Sequence, residues 1–71
     1  MKIPKMLYDY LEETEQNAEE MSFAELFEEA SWVLSCYNMG EYYSDEYSKS
    51  DVTSLKRFIY HASCRMIERG N

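Results

Sequence analysis

Apolar residues recur at three- and four-residue steps in three stretches of the chain, and each stretch predicts an amphipathic helix. Ile3, Leu7, Tyr10, Leu11, Thr14, Ala18 and Met21 form the first face, with Asp9, Glu12, Glu13, Gln16, Glu19 and Glu20 opposite. Proline suits the first helical position, so this helix should begin at Pro4, and the pattern carries it to about residue 19, where Asn17 favours fraying. The second helix has the clearest start. Ser22 followed by Glu25 is a capping box, in which the hydroxyl and the carboxylate each accept one free backbone N–H. Met21, just ahead of the cap, is placed to pack on Leu26. Phe23, Leu26, Phe27, Ala30, Val33, Leu34 and Tyr37 make the core stripe, and Gly40 stands where a left-handed residue ends a helix.

Residues 41–50 follow no clear period and predict a tyrosine-rich loop, with room for a helical turn after Ser44 or a short extended segment. The third helix should start near Ser50 or Asp51, both good caps. Its inner face is Val52, Leu55, Ile59, Ala62 and Met66, flanked by Phe58 and Ile67. Arg65 and Arg69 fall in the last turns, where cations complement the helix dipole, and Gly70 stops the helix. With two glycines and one proline in 71 residues, the expectation is an all-α, three-helix bundle forming one acidic domain over residues 1–71, with the tyrosine-rich loop between helices two and three.

Charge changes this picture from a generic bundle to a polarised one. The net charge is −7, but it is unevenly placed. Residues 1–8 carry Lys2 and Lys5. Residues 9–51 carry thirteen carboxylates against Lys49 alone, and residues 52–71 carry four cations against Glu68. An acidic surface on helices one and two disfavours direct contact with nucleic acid, whose phosphates would be repelled. Two accounts fit it. One is simple solvation of a small protein. The other is a field that steers a basic partner, with Glu12, Glu13, Glu19, Glu20, Glu25, Glu28 and Glu29 standing where nucleic-acid phosphates would otherwise bind.

A second, shorter apolar stripe runs along helix two. At about 100° per residue, Trp32, Cys36 and Met39 fall away from Ala30 and are bordered by Glu25, Glu28 and Glu29. An exposed Trp rimmed by carboxylates has the makings of a binding hot spot. The loop residues Tyr42, Tyr43, Asp45, Glu46 and Tyr47 extend the same theme, since tyrosine among carboxylates gives contact area at low entropic cost. The stripe could equally be covered by those loop tyrosines, or form the seam of a homodimer.

No catalytic, cofactor or metal chemistry is indicated. His61 and Cys64 share a helical face with Arg57 and Arg65, but there is no CxxC or HxxxH, and only Cys36 could join them in a zinc site that needs four ligands. The adjacent carboxylate pairs point about 100° apart and cannot converge as catalytic dyads. Asp45 to Asp51 lacks the alternating ligands and mid-loop glycine of a calcium loop. Cys36 and Cys64, both outward from the core stripes, are expected as free thiols. The lack of a basic start followed by an apolar middle, and of any apolar run long enough to cross a bilayer, places the protein in the cytoplasm by expectation, away from membranes. In its shortness, acidity and aromatic-acid loop the chain resembles small phage-encoded inhibitors and bacterial immunity proteins as a class, a likeness of composition that matches no motif. The expected function is thus an acidic protein-binding module that inhibits or regulates a basic, nucleic-acid-processing partner, with a helical homodimer joined at Trp32 as the alternative.

Overall fold

The computed structural model describes residues 2–40 and 46–68. Three helices and one 3₁₀ turn follow in order: α1 over Lys5–Glu13, the turn over Ala18–Glu20, α2 over Phe23–Asn38, and α3 over Lys49–Glu68. No strand occurs among the described residues. The protein is an all-α three-helix bundle, as its periodicity predicts. Helices α2 and α3 are antiparallel: the Arg65 guanidinium, near the end of α3, lies 5.8 Å from the centre of the Phe23 ring at the start of α2. The shorter α1 packs against both. The core joins Met6, Leu7 and Leu11 of α1 to Leu26, Ala30 and Val33 of α2, and to Val52, Leu55, Phe58 and Ala62 of α3.

Both long helices enter the core through the same device. Ser22 Oγ accepts from the Glu25 N–H at 3.1 Å while Glu25 Oε1 accepts from the Ser22 N–H at 2.8 Å. At the start of α3, Ser48 Oγ accepts from the Asp51 N–H at 3.2 Å and Asp51 Oδ2 accepts from the Ser48 N–H at 3.0 Å. The cap of α3 is therefore Ser48, ahead of the expected Ser50 or Asp51, because Asp51 completes a box instead of capping alone. Each cap is preceded by an apolar residue, Met21 or Tyr47, and followed four positions on by a buried one, Leu26 or Val52. That is the hydrophobic-staple pattern. The end of α2 is as expected: Gly40 has φ 72° and donates its N–H to the Tyr37 carbonyl at 2.9 Å. The expected stop at Gly70 and the cation Arg69 lie outside the described residues.

Helix α1 ends at Glu13, six residues short of the expected limit. Three interactions stop it. The Thr14 hydroxyl donates back to the Tyr10 carbonyl at 3.0 Å. The Glu15 N–H bonds to the Glu12 carbonyl at 3.1 Å, and the Gln16 N–H to the Leu11 carbonyl at 2.8 Å, which together make a Schellman motif. Glu15 takes the left-handed position, with φ 58°, that glycine usually fills. Asn17 then caps the 3₁₀ turn through its side chain, which accepts from the Glu19 N–H at 3.0 Å. Ala18 and Met21 still pack against the core, from this turn and the linker rather than from a continued helix.

The left-handed Glu15 is a conformation disfavoured by roughly 1–2 kcal/mol for an L-residue with a Cβ. Glu15→Gly is expected to stabilise the protein by about 0.5–1 kcal/mol, after allowing for the greater freedom of glycine in the unfolded chain. For a domain this small that means a melting temperature raised by a few degrees. A melting curve unchanged or shifted downward would show that Glu15 is held by interactions outweighing its backbone strain.

Candidate protein-binding surface

The carboxylates expected to carry the function lie on α1, the 3₁₀ turn and the first half of α2. Glu12, Glu13, Glu19, Glu20, Glu25 and Glu28 are exposed and Glu29 is half-buried. The chain has no Lys or Arg between Lys5 and Lys49, so no cation lies on the 3₁₀ turn or on α2. Lys5 Nζ pairs with Asp9 Oδ2 at 3.3 Å, at the far end of α1.

The individual carboxylates differ in how far they are committed. Glu25 is held in its capping box. Glu29 Oε2 accepts from Gln16 Nε2 at 2.8 Å, which ties the linker after α1 to α2. Glu12 accepts from the Tyr8 hydroxyl at 3.1 Å, and this bond, with the charge on Glu12, raises the Tyr8 pKa above its ordinary 10.0. The side chains of Glu15, Glu19, Glu20 and Glu28 make no hydrogen bond or ion pair among the described residues and are the open part of the field. Glu15 was not among the expected site residues. It is exposed, at the left-handed position that ends α1.

Two places bring these groups together. Beside the 3₁₀ turn, Tyr8, Glu12, Gln16, Asn17 and Glu19 line a hollow of about 320 Å³. Its two carboxylates and its amide oxygens suit the head of a partner's Lys or Arg. Further along, Tyr10 of α1 sits among Glu13, Glu29, Trp32 and Cys36. Burial first, then the charges of Glu29 and its other acidic neighbours, push the Tyr10 hydroxyl pKa up, and a hydrogen bond with Trp32 partly opposes this. Tyr10 is the residue that sequence periodicity did not assign to the site. Periodicity placed it on the apolar face of the first helix, and it packs at the edge of the core.

The second stripe of α2 divides in two. Trp32 and Met39 are 53% and 59% exposed, on the outer face with Glu25 and Glu28. Cys36 is buried, which corrects the expectation that it faces outward. On the helical wheel it stands only about 60° from Val33, and α1 brings Tyr10 beside it. Tyr47 also departs from expectation. It belongs to the core and not to an exposed loop, and its hydroxyl donates to Asp9 Oδ2 at 2.5 Å. Lys5 Nζ lies 5.0 Å from its ring centre. Of the remaining loop candidates Glu46 is exposed, while Tyr42, Tyr43 and Asp45 lie outside the described residues.

Among the described residues no group of His, Cys, Asp and Glu is arranged to hold a metal ion. Both cysteines are free. The native protein is expected to show one thiol, Cys64, reacting readily with a disulfide reagent, and Cys36 reacting only as the protein opens. Reductant should leave the melting temperature unchanged. Equal, rapid reaction of both thiols would place Cys36 at the surface after all. No helix among the described residues is long and apolar enough to cross a membrane. Comparison with protein-family models, with curated proteins and with solved structures finds no significant match to this chain.

Proposed function

We propose that this protein is a binding module whose acidic face, formed by α1, the 3₁₀ turn and α2, occupies a basic surface of a partner protein and thereby inhibits or regulates it. The observation that carries the reading is the run of carboxylates on one part of the chain: Glu12, Glu13, Glu19, Glu20, Glu25, Glu28 and Glu29 stand on elements that carry no Lys or Arg beyond Lys5. Gathering so many like charges destabilises the folded chain through self-repulsion, and a cationic partner relieves that cost on binding. Trp32 and Met39 supply the apolar anchor beside the field. Basic surfaces of this extent are commonest on proteins that grip phosphate backbones, so a nucleic-acid-processing partner fits best.

The test is competition. The immobilised protein should retain its partner from a lysate of its source cells at about 0.1 M salt and release it as salt approaches about 1 M, where screening shortens to about 3 Å. Excess duplex DNA should displace the same partner at low salt. Retention indifferent to both salt and DNA would rule the reading out. The exposed Trp32 and Met39 also support a second reading, in which they form the seam of a homodimer. Sedimentation at micromolar concentration separates the two, because a monomer leaves no place for that seam.

A further inference from the structure

Another surface of the molecule carries the reverse charge. Residues 2–5, ahead of and entering α1, run beside α3 and leave a groove of about 490 Å³ between them. Its floor is apolar: Ile3, Pro4 and Phe58. Its rim is basic, with Lys2 on one wall and Arg57 and Arg65, with His61 between them, on the other. The last three are spaced i, i+4, i+8 on α3, which places them about 6 Å apart along one face.

We propose that this groove binds a small organic phosphate, a phosphate group carried on an apolar body. The cations are not there to neutralise the chain's own acids. Lys2 and Arg57 make no ion pair among the described residues, although the chain has twice as many carboxylates as cations. The groove-lining groups with internal duties are accounted for separately: Lys5 bonds Asp9, Arg65 lies over the Phe23 ring, and the Asp51 carboxylate closes the box at Ser48. The two guanidiniums on α3 and Lys2 across from them concentrate positive charge around the groove, which an anion lying in it offsets. A phosphate offers three acceptor oxygens to a fork-shaped guanidinium and its neighbours. The apolar floor calls for more than a bare ion, and the volume lies in the range of small-ligand sites. A duplex would bring the rest of its phosphates against the acidic block, whereas a small ligand would not. Carboxylates more than about 10 Å from the groove are largely screened from such a ligand at 0.1 M salt.

The experiment titrates the full chain with 1-naphthyl phosphate, inorganic phosphate and 1-naphthol, following backbone amide signals and heats of binding. Naphthyl phosphate is expected to bind at least tenfold more tightly than either fragment, and to shift amides of residues 2–5 and 51–65 only. Lys2→Gln combined with Arg57→Gln should weaken it tenfold or more. Both side chains are exposed, so the helical spectrum should not change. Lys56→Gln, an exposed position outside the groove, should leave the affinity as it was. The proposal is overturned if inorganic phosphate or naphthol binds as well as naphthyl phosphate. It is overturned equally if the double variant binds like the parent, or if Lys56→Gln weakens binding as much as the double variant does. It stands on a different face from the acidic surface, so either can fail alone.

Discussion

Tyr47→Ala is expected to unfold most of the protein at room temperature. The ring is only 9% exposed and belongs to the core. It fills the staple position ahead of the Ser48 cap, and its hydroxyl donates to Asp9 at 2.5 Å, so one side chain joins the start of α3 to α1. Truncating a buried aromatic removes roughly 3–5 kcal/mol, counting the cavity left behind. A single core of this size rarely supplies more than about 3–5 kcal/mol in total, so nothing is left in reserve. Tyr47→Phe separates the two contributions. It keeps the ring and deletes only the hydroxyl, and Asp9 retains its contact with Lys5. A loss of about 1.5–3 kcal/mol is expected, as for a hydrogen bond to a charged acceptor. Combining Tyr47→Phe with Asp9→Asn in a double-mutant cycle then gives the coupling between the two groups. A Tyr47→Ala protein that melts within two or three degrees of the parent, on the order of less than 1 kcal/mol, would mean that the ring is dispensable and that the start of α3 is held by its capping box alone.

This result bears on how far the fold can be read from the chain. The signals that succeed are those with their chemistry in one short segment. Ser22 and Glu25 announce the start of α2, and Gly40 its end, because every group involved lies within a few residues. The sequence around Tyr47 carries the same signal in a weaker form. Tyr-Ser-Lys-Ser-Asp-Val at 47–52 repeats the arrangement of Met-Ser-Phe-Ala-Glu-Leu at 21–26: an apolar residue, a serine cap, an acid three positions on, then a buried apolar residue. Read with that template, Tyr47 is a core residue. Read only by the polarity of 41–50, it looks like part of a loop.

The end of α1 fails for a different reason. The three- and four-residue spacing of Leu11, Thr14, Ala18 and Met21 continues past Glu13, because the linker folds back over the same core that the helix faces. Periodicity reports which residues are buried, and here it is correct for Ala18 and Met21. It does not report whether the backbone between them stays helical. The stop is made by Glu15 in a left-handed conformation, at a position where no glycine marks it. Met6, fully buried yet absent from the expected stripe, shows the related limit. A helix lying against two others buries a wider arc than the single stripe that the spacing picks out.

For the site, the acidic field was legible because it depends on composition along the chain, and exposure of glutamates on a helix follows from their solvation. What was not legible is which carboxylates are engaged. Glu29 is tied to Gln16 and Glu25 to Ser22, whereas Glu20 and Glu28 are open. Cys36 was misplaced because its burial comes from α1, and a single-helix wheel contains no information about where a third helix will lie.

Those distinctions decide the second large effect. Trp32→Ala is expected to weaken binding to the proposed basic partner by about 2 kcal/mol or more, which is roughly thirtyfold, while the folded protein persists. The ring is half exposed, so its removal should cost folding only about 1–2 kcal/mol of the 3–5 kcal/mol that a buried ring would. The Tyr10 hydroxyl loses its hydrogen bond with the indole but stays near water at the edge of α1. Trp32→Phe should recover most of the folding loss and only part of the binding. Charge reversal at Glu20 and Glu28 provides the complement. Neither carboxylate is used inside the protein, so Glu20→Lys with Glu28→Lys should leave the melting temperature within a degree or two. Association should slow, and its dependence on salt should flatten, because peripheral charges act on encounter more than on the final contact. If Trp32→Ala collapses the fold and the remaining folded fraction binds normally, Trp32 is a structural residue held by Tyr10. If both sets of variants bind like the parent, the acidic face serves only to keep the bundle in solution.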